Sequence, residues 1–226
     1  MMADAWLPLL LTLKVAGLAT LINIVLGVAL AFFFARKNFI GKDFLDAVLT
    51  LPMVMPPTVL GYYLLVLLGR NGPIGRFLLE NFNINLIFTW QGAVIAAAIV
   101  SFPLIFKGAR AAFESIEVQY EQAAQVLSVS NTAIFFRVTL PLAWRGILAG
   151  SLLAFARSAG EFGATLMVAG SIPGKTQTLS IAVYEAVQAG QDDVANFLVL
   201  LTSIVCILVL LVSGRLAPGR VVARGS

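Results

Sequence analysis

Apolar residues are gathered in long runs, with polar residues confined to the stretches between them. Five runs stand out: about Trp6 to Phe34, Val48 to Leu68, Phe88 to Phe106, Leu142 to Ala169 and Val194 to Val212. A helix rises 1.5 Å per residue, so about 20 apolar residues cross the hydrocarbon core of a bilayer. The pattern predicts an all-α membrane protein with five spans in a single domain of residues 1–220. The last six residues, 221–226, are read as a tail partly of vector origin. The first run has no basic stretch before it and is too long for a signal sequence, so it is expected to stay in the mature chain.

Two interruptions refine the pattern. Pro52, Pro56 and Pro57 fall in the second run and Pro103 in the third. A proline inside a helix removes a hydrogen bond and kinks it. In a membrane such kinks either serve packing or bend a helix along a transport pathway. Between the fourth and fifth runs, Leu179, Val183, Ala186 and Val187 fall at helical spacing within residues 176–189. This segment is too short to cross, so it is expected to be a helix tucked into the outer half or lying on the outer surface.

Charge sets the orientation. Arg36, Lys37, Lys42, Lys107, Arg110, Arg137, Arg145, Arg215, Arg220 and Arg224 lie on one side of the predicted spans. Only Arg70, Arg76 and Lys175 lie on the other, while Lys14 and Arg157 fall within spans. The ten-residue side is expected inside, with the N-terminus outside and the C-terminus inside. This distribution also accounts for the net charge of +4 without a nucleic-acid partner. The chain is 60% hydrophobic and 12% charged, too little polar surface for a globule in water.

Missing residue types narrow the chemistry. With no His there is no His-based acid–base pair and no His metal site. The single Cys, Cys206, lies in an apolar run and forms no intrachain disulfide. No catalytic residue and no metal ligand is assigned. Ala169 to Thr176 fits a relaxed phosphate-loop pattern, but it follows a predicted span and faces outside, away from ATP.

Charge within the fourth run needs a partner. Arg157 and Glu161 are four apart and share a helix face. From Pro141, a helix places Arg157 about 24 Å up, in the outer half of the bilayer. Two roles fit: a structural ion pair, or an element of an anion pathway. Together with Pro56, Pro57, Thr58, Ser101 and Ser158, these two residues form the candidate pathway set.

The longest inside loop runs from about Lys107 to Arg145, and its segment 114–141 is partly polar and has helical spacing. It is expected to form two short helices broken near Ser128 to Ser130, with Ser130 or Asn131 capping the second. It contains Gln122-Ala123-Ala124, three residues, Ser128, nine residues, then Val138-Thr139-Leu140-Pro141. This resembles the EAA loop of ABC importer permeases: Glu-Ala-Ala, three residues, Gly, nine residues, Ile-x-Leu-Pro. Gln122 departs from the Glu of that pattern, with Glu121 adjacent, and Ser128 departs from its Gly. Leu51 to Tyr62 and Phe155 to Ala164 are similar to spans of molybdate and sulfate permeases. The short chain is more similar to the molybdate group.

The resemblance implies a type I ABC importer permease of the bacterial inner membrane, transporting molybdate or tungstate. It implies a homodimer, two separate ATPase subunits that bind ATP and magnesium, and an external oxyanion-binding protein. No cofactor is expected in this chain. The coupling residues it implies are Glu121, Gln122, Ala123, Ala124, Ser128, Arg137, Leu140 and Pro141. The alternatives are a sulfate or thiosulfate permease, and a secondary transporter. An odd number of spans without a visible repeat argues against the latter.

Overall fold

The computed structural model describes residues 2–216, with side chains described for residues 6–212. Arg220, Arg224 and the 221–226 tail lie outside the described residues, as does the side chain of Arg215. Among the described residues, four helices are long and apolar enough to cross a membrane: within α1 (Met2–Arg36), α5 (Trp90–Glu114), the stretch ending in α8 (Leu140–Ala159), and α11 (Asp192–Leu216). A bent pair, α2 (Lys42–Val54) and α3 (Pro57–Leu68), is long and apolar enough to make a fifth when its two helices are taken together.

That pair differs from the single kinked span expected. Its axes turn by 112° at Met55–Pro56. Pro56 is extended, with φ −55° and ψ 131°, and Pro57 opens α3 at a position that needs no N–H donor. Two consecutive prolines therefore end one helix and start another.

The fourth run also breaks. α8 stops at Ala159, with Gly160 as its C-cap, and a separate short helix, α9 (Gly163–Ala169), follows. On the outer side the structure adds α4 (Pro73–Phe82), which the apolar runs do not announce. The expected short helix is present as α10 (Leu179–Gln188), packed on both α1 and α11. Its Leu179 N–H donates to the Thr12 hydroxyl of α1 at 2.8 Å.

The centre is a three-helix core of α1, α5 and α8. Val28, Ala31 and Phe34 meet Ile105, Phe106 and Ala109, with Ala143, Ile147 and Ala154 closing the third side. α5 and α8 come close because two glycines face each other. A Cβ on Gly108 would stand 3.2 Å from the Gly150 Cα. With no hydrophobic drive between helices in lipid, such small-residue contacts carry the packing. Against this core, α3 lays Leu60, Leu64 and Leu68 on Ala96 and Val100 of α5 and on Ala164 and Val168 of α9.

Candidate functional site

At the inner end, α5 runs two turns past the expected end of its span, because Lys107 and Arg110 find a counter-ion. Asp46 of α2 accepts from the Lys107 ammonium and, at 2.6 Å, from Arg110 Nη1. Arg110 also donates to Glu114 through Nε at 2.7 Å. The inner loop follows as α6 (Val118–Val126), α7 (Asn131–Ile134) and a π turn (Phe135–Thr139) that leads into α8. The break between α6 and α7 lies where the sequence places it. Ser128 has φ 58°, the left-handed conformation that the Gly of the EAA pattern reaches without a Cβ penalty. The Ser130 hydroxyl accepts from Ala133 N–H, capping α7.

The π turn has a local cause. Pro141 has no N–H for the usual i−4 carbonyl, and the Leu140 N–H reaches back five residues to Phe135 O. The wider turn is keyed into the body by Phe135. Its ring lies 4.7 Å from Phe32 of α1 and 6.2 Å from Phe113 of α5.

α6 buries none of its residues. Gln122 and Ala123 are exposed and Ala124 half-buried, while Val126 is 85% and Leu127 77% exposed. Leucine and valine so exposed beside a loop of small residues form a surface ready for another molecule. Glu121 points back toward the protein. Arg36, in the last turn of α1, donates from Nε to both carboxylate oxygens at 3.1 Å and from Nη2 to Oε1 at 2.8 Å. The Thr139 hydroxyl donates to the same Oε1 at 2.9 Å. Arg36 and Thr139 are partners of Glu121 that the sequence pattern does not single out. They lie 85 and 18 residues from Glu121, beyond the reach of any helical spacing.

The second cluster lies where the two broken helices meet. Arg157 Nη1 donates to Glu161 Oε2 at 2.6 Å, so the expected pair forms although α8 ends between them. The other oxygen, Glu161 Oε1, accepts Ala164 N–H at 2.9 Å in the first turn of α9. Glu161 is buried, whereas 37% of the Arg157 side chain is exposed. α9 then packs on α3, so the break after α8 faces the break at Met55–Pro56. Pro56, Pro57 and Thr58 are exposed there.

Ser101 and Ser158 bond to each other rather than to the Arg157–Glu161 pair. Ser158 donates to Ser101 at 2.8 Å, and Asn23 Nδ2 donates to Ser101 at 2.9 Å and to Ala98 O at 2.8 Å. All three are buried, forming a polar knot between α1, α5 and α8. The residues of the phosphate-loop-like stretch form the turn after α9, where Thr176 accepts Ile172 N–H at 3.0 Å. Lys14, at the outer end, lies over the Trp90 ring at 3.6 Å.

The inner loop is thus an exposed two-helix segment pinned to the inner end of a bundle of membrane-length helices. The chain belongs to the family described as the binding-protein-dependent transport system inner membrane component, matched over residues 23–221. It is 45% identical over 213 residues to the molybdenum transport system permease protein ModB of Escherichia coli K12, covering 94% of this chain and 93% of that one. It is 44% identical over 204 residues to ModB of Haemophilus influenzae, with 90% and 89% covered. The sulfate transport system permease protein CysW of Synechococcus elongatus is 40% identical over 185 residues, with 82% of this chain and 64% of that one covered. The fold is that of ABC importer permeases. A chain of the MetNI methionine ABC transporter, in an inward-facing conformation, superposes with a TM-score of 0.68 at 16% identity, covering 95% and 93%. A chain of a bacterial alginate ABC transporter, solved with a pentasaccharide-bound periplasmic protein, gives 0.71 at 17% identity, covering 92% and 76%.

Proposed function

We propose that this chain is the permease of an ATP-driven importer for the tetrahedral oxyanions molybdate and tungstate. It works as a pair of identical chains with two separate ATPase subunits and an external oxyanion-binding protein. ATP and magnesium are held by the ATPase subunits and not by this chain. The observation that carries the reading is the inner loop. α6 presents Ala123, Val126 and Leu127 outward while Glu121 ties its other side to the membrane helices. A loop with that geometry can seat in a groove of a partner and stay connected to the spans. The substrate class is supported by similarity to molybdenum permeases over nearly the full length of both chains. The sulfate relative is covered over a smaller share.

In this reading the substrate passes where the broken helices meet. Pro56, Pro57 and Thr58 are exposed at that junction, and the half-exposed Arg157 offers it a cationic group. Glu161 holds Arg157 in place while capping α9, so the same carboxylate orients the charge and the short helix. Ser101 and Ser158 hold the wall behind it rather than touch the anion.

The test is uptake into proteoliposomes holding the permease, its ATPase subunit and the binding protein. ATP-dependent molybdate uptake, competed by tungstate and not by equal sulfate, is expected. Sulfate uptake at the same rate would overturn the substrate assignment, and uptake without ATP would overturn the transport class.

A further inference from the structure

We propose that Glu121 is the joint through which movement of the inner loop enters the membrane helices, with Arg36 and Thr139 as the positioning residues that make the joint rigid. This rests on reading the loop as the element that meets the ATPase subunit.

Three elements converge on one carboxylate. Glu121 belongs to α6, Arg36 to the last turn of α1, and Thr139 to the end of the π turn that becomes α8. The Arg36 and Glu121 side chains are 16% and 13% exposed, and Thr139 is fully buried. A guanidinium engaging both oxygens fixes direction as well as distance, which a point charge does not. At this depth, removing one partner leaves the other short of its hydrogen bonds, so the contact resists separation.

The remainder of α6 gives the joint its importance. That helix buries no residue, so packing alone does not anchor it. Thr139 sits at the base of a turn already locked by Phe135 against Phe32 and Phe113. A displacement of α6 that keeps the Glu121 contacts must carry the inner ends of α1 and α8 with it. Those two helices are also two of the three that form the core and hold the Asn23–Ser101–Ser158 knot. Without the joint, α6 can move while the spans stand still. Gln122, at the Glu position of the EAA pattern, is exposed and takes no part in the contact.

The experiment uses the complete complex in proteoliposomes with the variants Arg36→Gln, Arg36→Lys, Thr139→Val, Glu121→Gln and the double Arg36→Gln/Glu121→Gln. Three quantities are read: ATPase subunit retained on the permease, ATP hydrolysis with and without loaded binding protein, and molybdate taken up per ATP. Arg36 lies outside the loop, so Arg36→Gln is expected to retain the ATPase subunit and the unstimulated hydrolysis. Stimulation and uptake per ATP are expected to fall about tenfold, within the range of measured coupling effects. Arg36→Lys should recover part of the loss, and the double variant should be no worse than the worse single. Wild-type stimulation in Arg36→Gln, or losses that add in the double variant, would overturn the proposal. Should Arg36→Gln fail to accumulate, Thr139→Val decides: a fall of about threefold or more in stimulation supports the joint, and wild-type stimulation overturns it. Ala123→Trp separates this proposal from the reading beneath it. If Ala123→Trp abolishes ATPase retention while Arg36→Gln changes nothing, the joint alone is wrong. If Ala123→Trp also changes nothing, the loop is not the meeting point.

Discussion

Gly163 of α9 lies directly against Pro57 of α3: a Cβ built on Gly163 would stand 3.0 Å from the Pro57 Cβ. Four residues further along α3, Gly61 is tighter still. Its Cβ would meet the Met167 Cβ at 2.8 Å and the Ala164 Cα at 2.9 Å. The two broken helices are therefore held together by the lack of side chains at two positions. Since one neighbour of Gly61 is backbone, α3 or α9 must shift to admit even a methyl group.

Gly61→Ala is accordingly expected to destabilise the α3–α9 contact by about 1–3 kcal/mol, the usual cost of overpacking. Thermal unfolding of the purified permease in detergent measures it, with Gly17→Ala, a site with nothing within 4 Å, as the unaffected control. Equal melting temperatures would mean that the two helices are not in close contact.

The Arg157–Glu161 pair predicts non-additive substitutions. Arg157→Met leaves a buried carboxylate with only the Ala164 N–H, the costly case for an ion pair. Arg157→Met with Glu161→Gln removes the charge and keeps an oxygen for Ala164. The double variant is expected to assemble better than Arg157→Met alone, measured as folded permease recovered from membranes. A double variant as damaged as the sum of the singles would contradict the pairing.

Ser128 predicts a gain. A non-glycine residue in the left-handed region carries a cost of about 1 kcal/mol. Ser128→Gly should remove much of that strain and slow amide exchange across Gln125 to Asn131. Ser128→Val should speed exchange there, because a β-branched residue fits φ 58° poorly. Exchange unchanged in both variants would mean that the turn is not held in this conformation.

Much of the architecture is legible in the sequence, for specific reasons. The apolar runs mark α1, α5, α8 and α11 because lipid forces each crossing to satisfy its own backbone. Pro56-Pro57 marks the second interruption, though a proline pair does not encode the 112° to which packing bends it. The break after Ala159 stays hidden, since Gly160 is common inside membrane helices and the apolar run continues beyond it. α4 escapes notice because it is ten residues long, with Arg76 and Glu80 among its apolar positions. The inner loop is readable from its spacing, down to the turn near Ser128 and a cap at Ser130 or Asn131, of which the structure uses Ser130. Its attachment through Arg36 is not, because only the folded chain brings α1 and α6 together.

α2 bears on the order in which the chain is made. It buries none of its 13 residues, and its one acid paired to another helix, Asp46, finds its counter-ions 61 and 64 positions later in the sequence. While the chain is being synthesised, α2 leaves the ribosome well before Lys107 and Arg110 exist. Until then Asp46 lacks both of its partners. The contact that closes the inner end can therefore form only after α5 has been made.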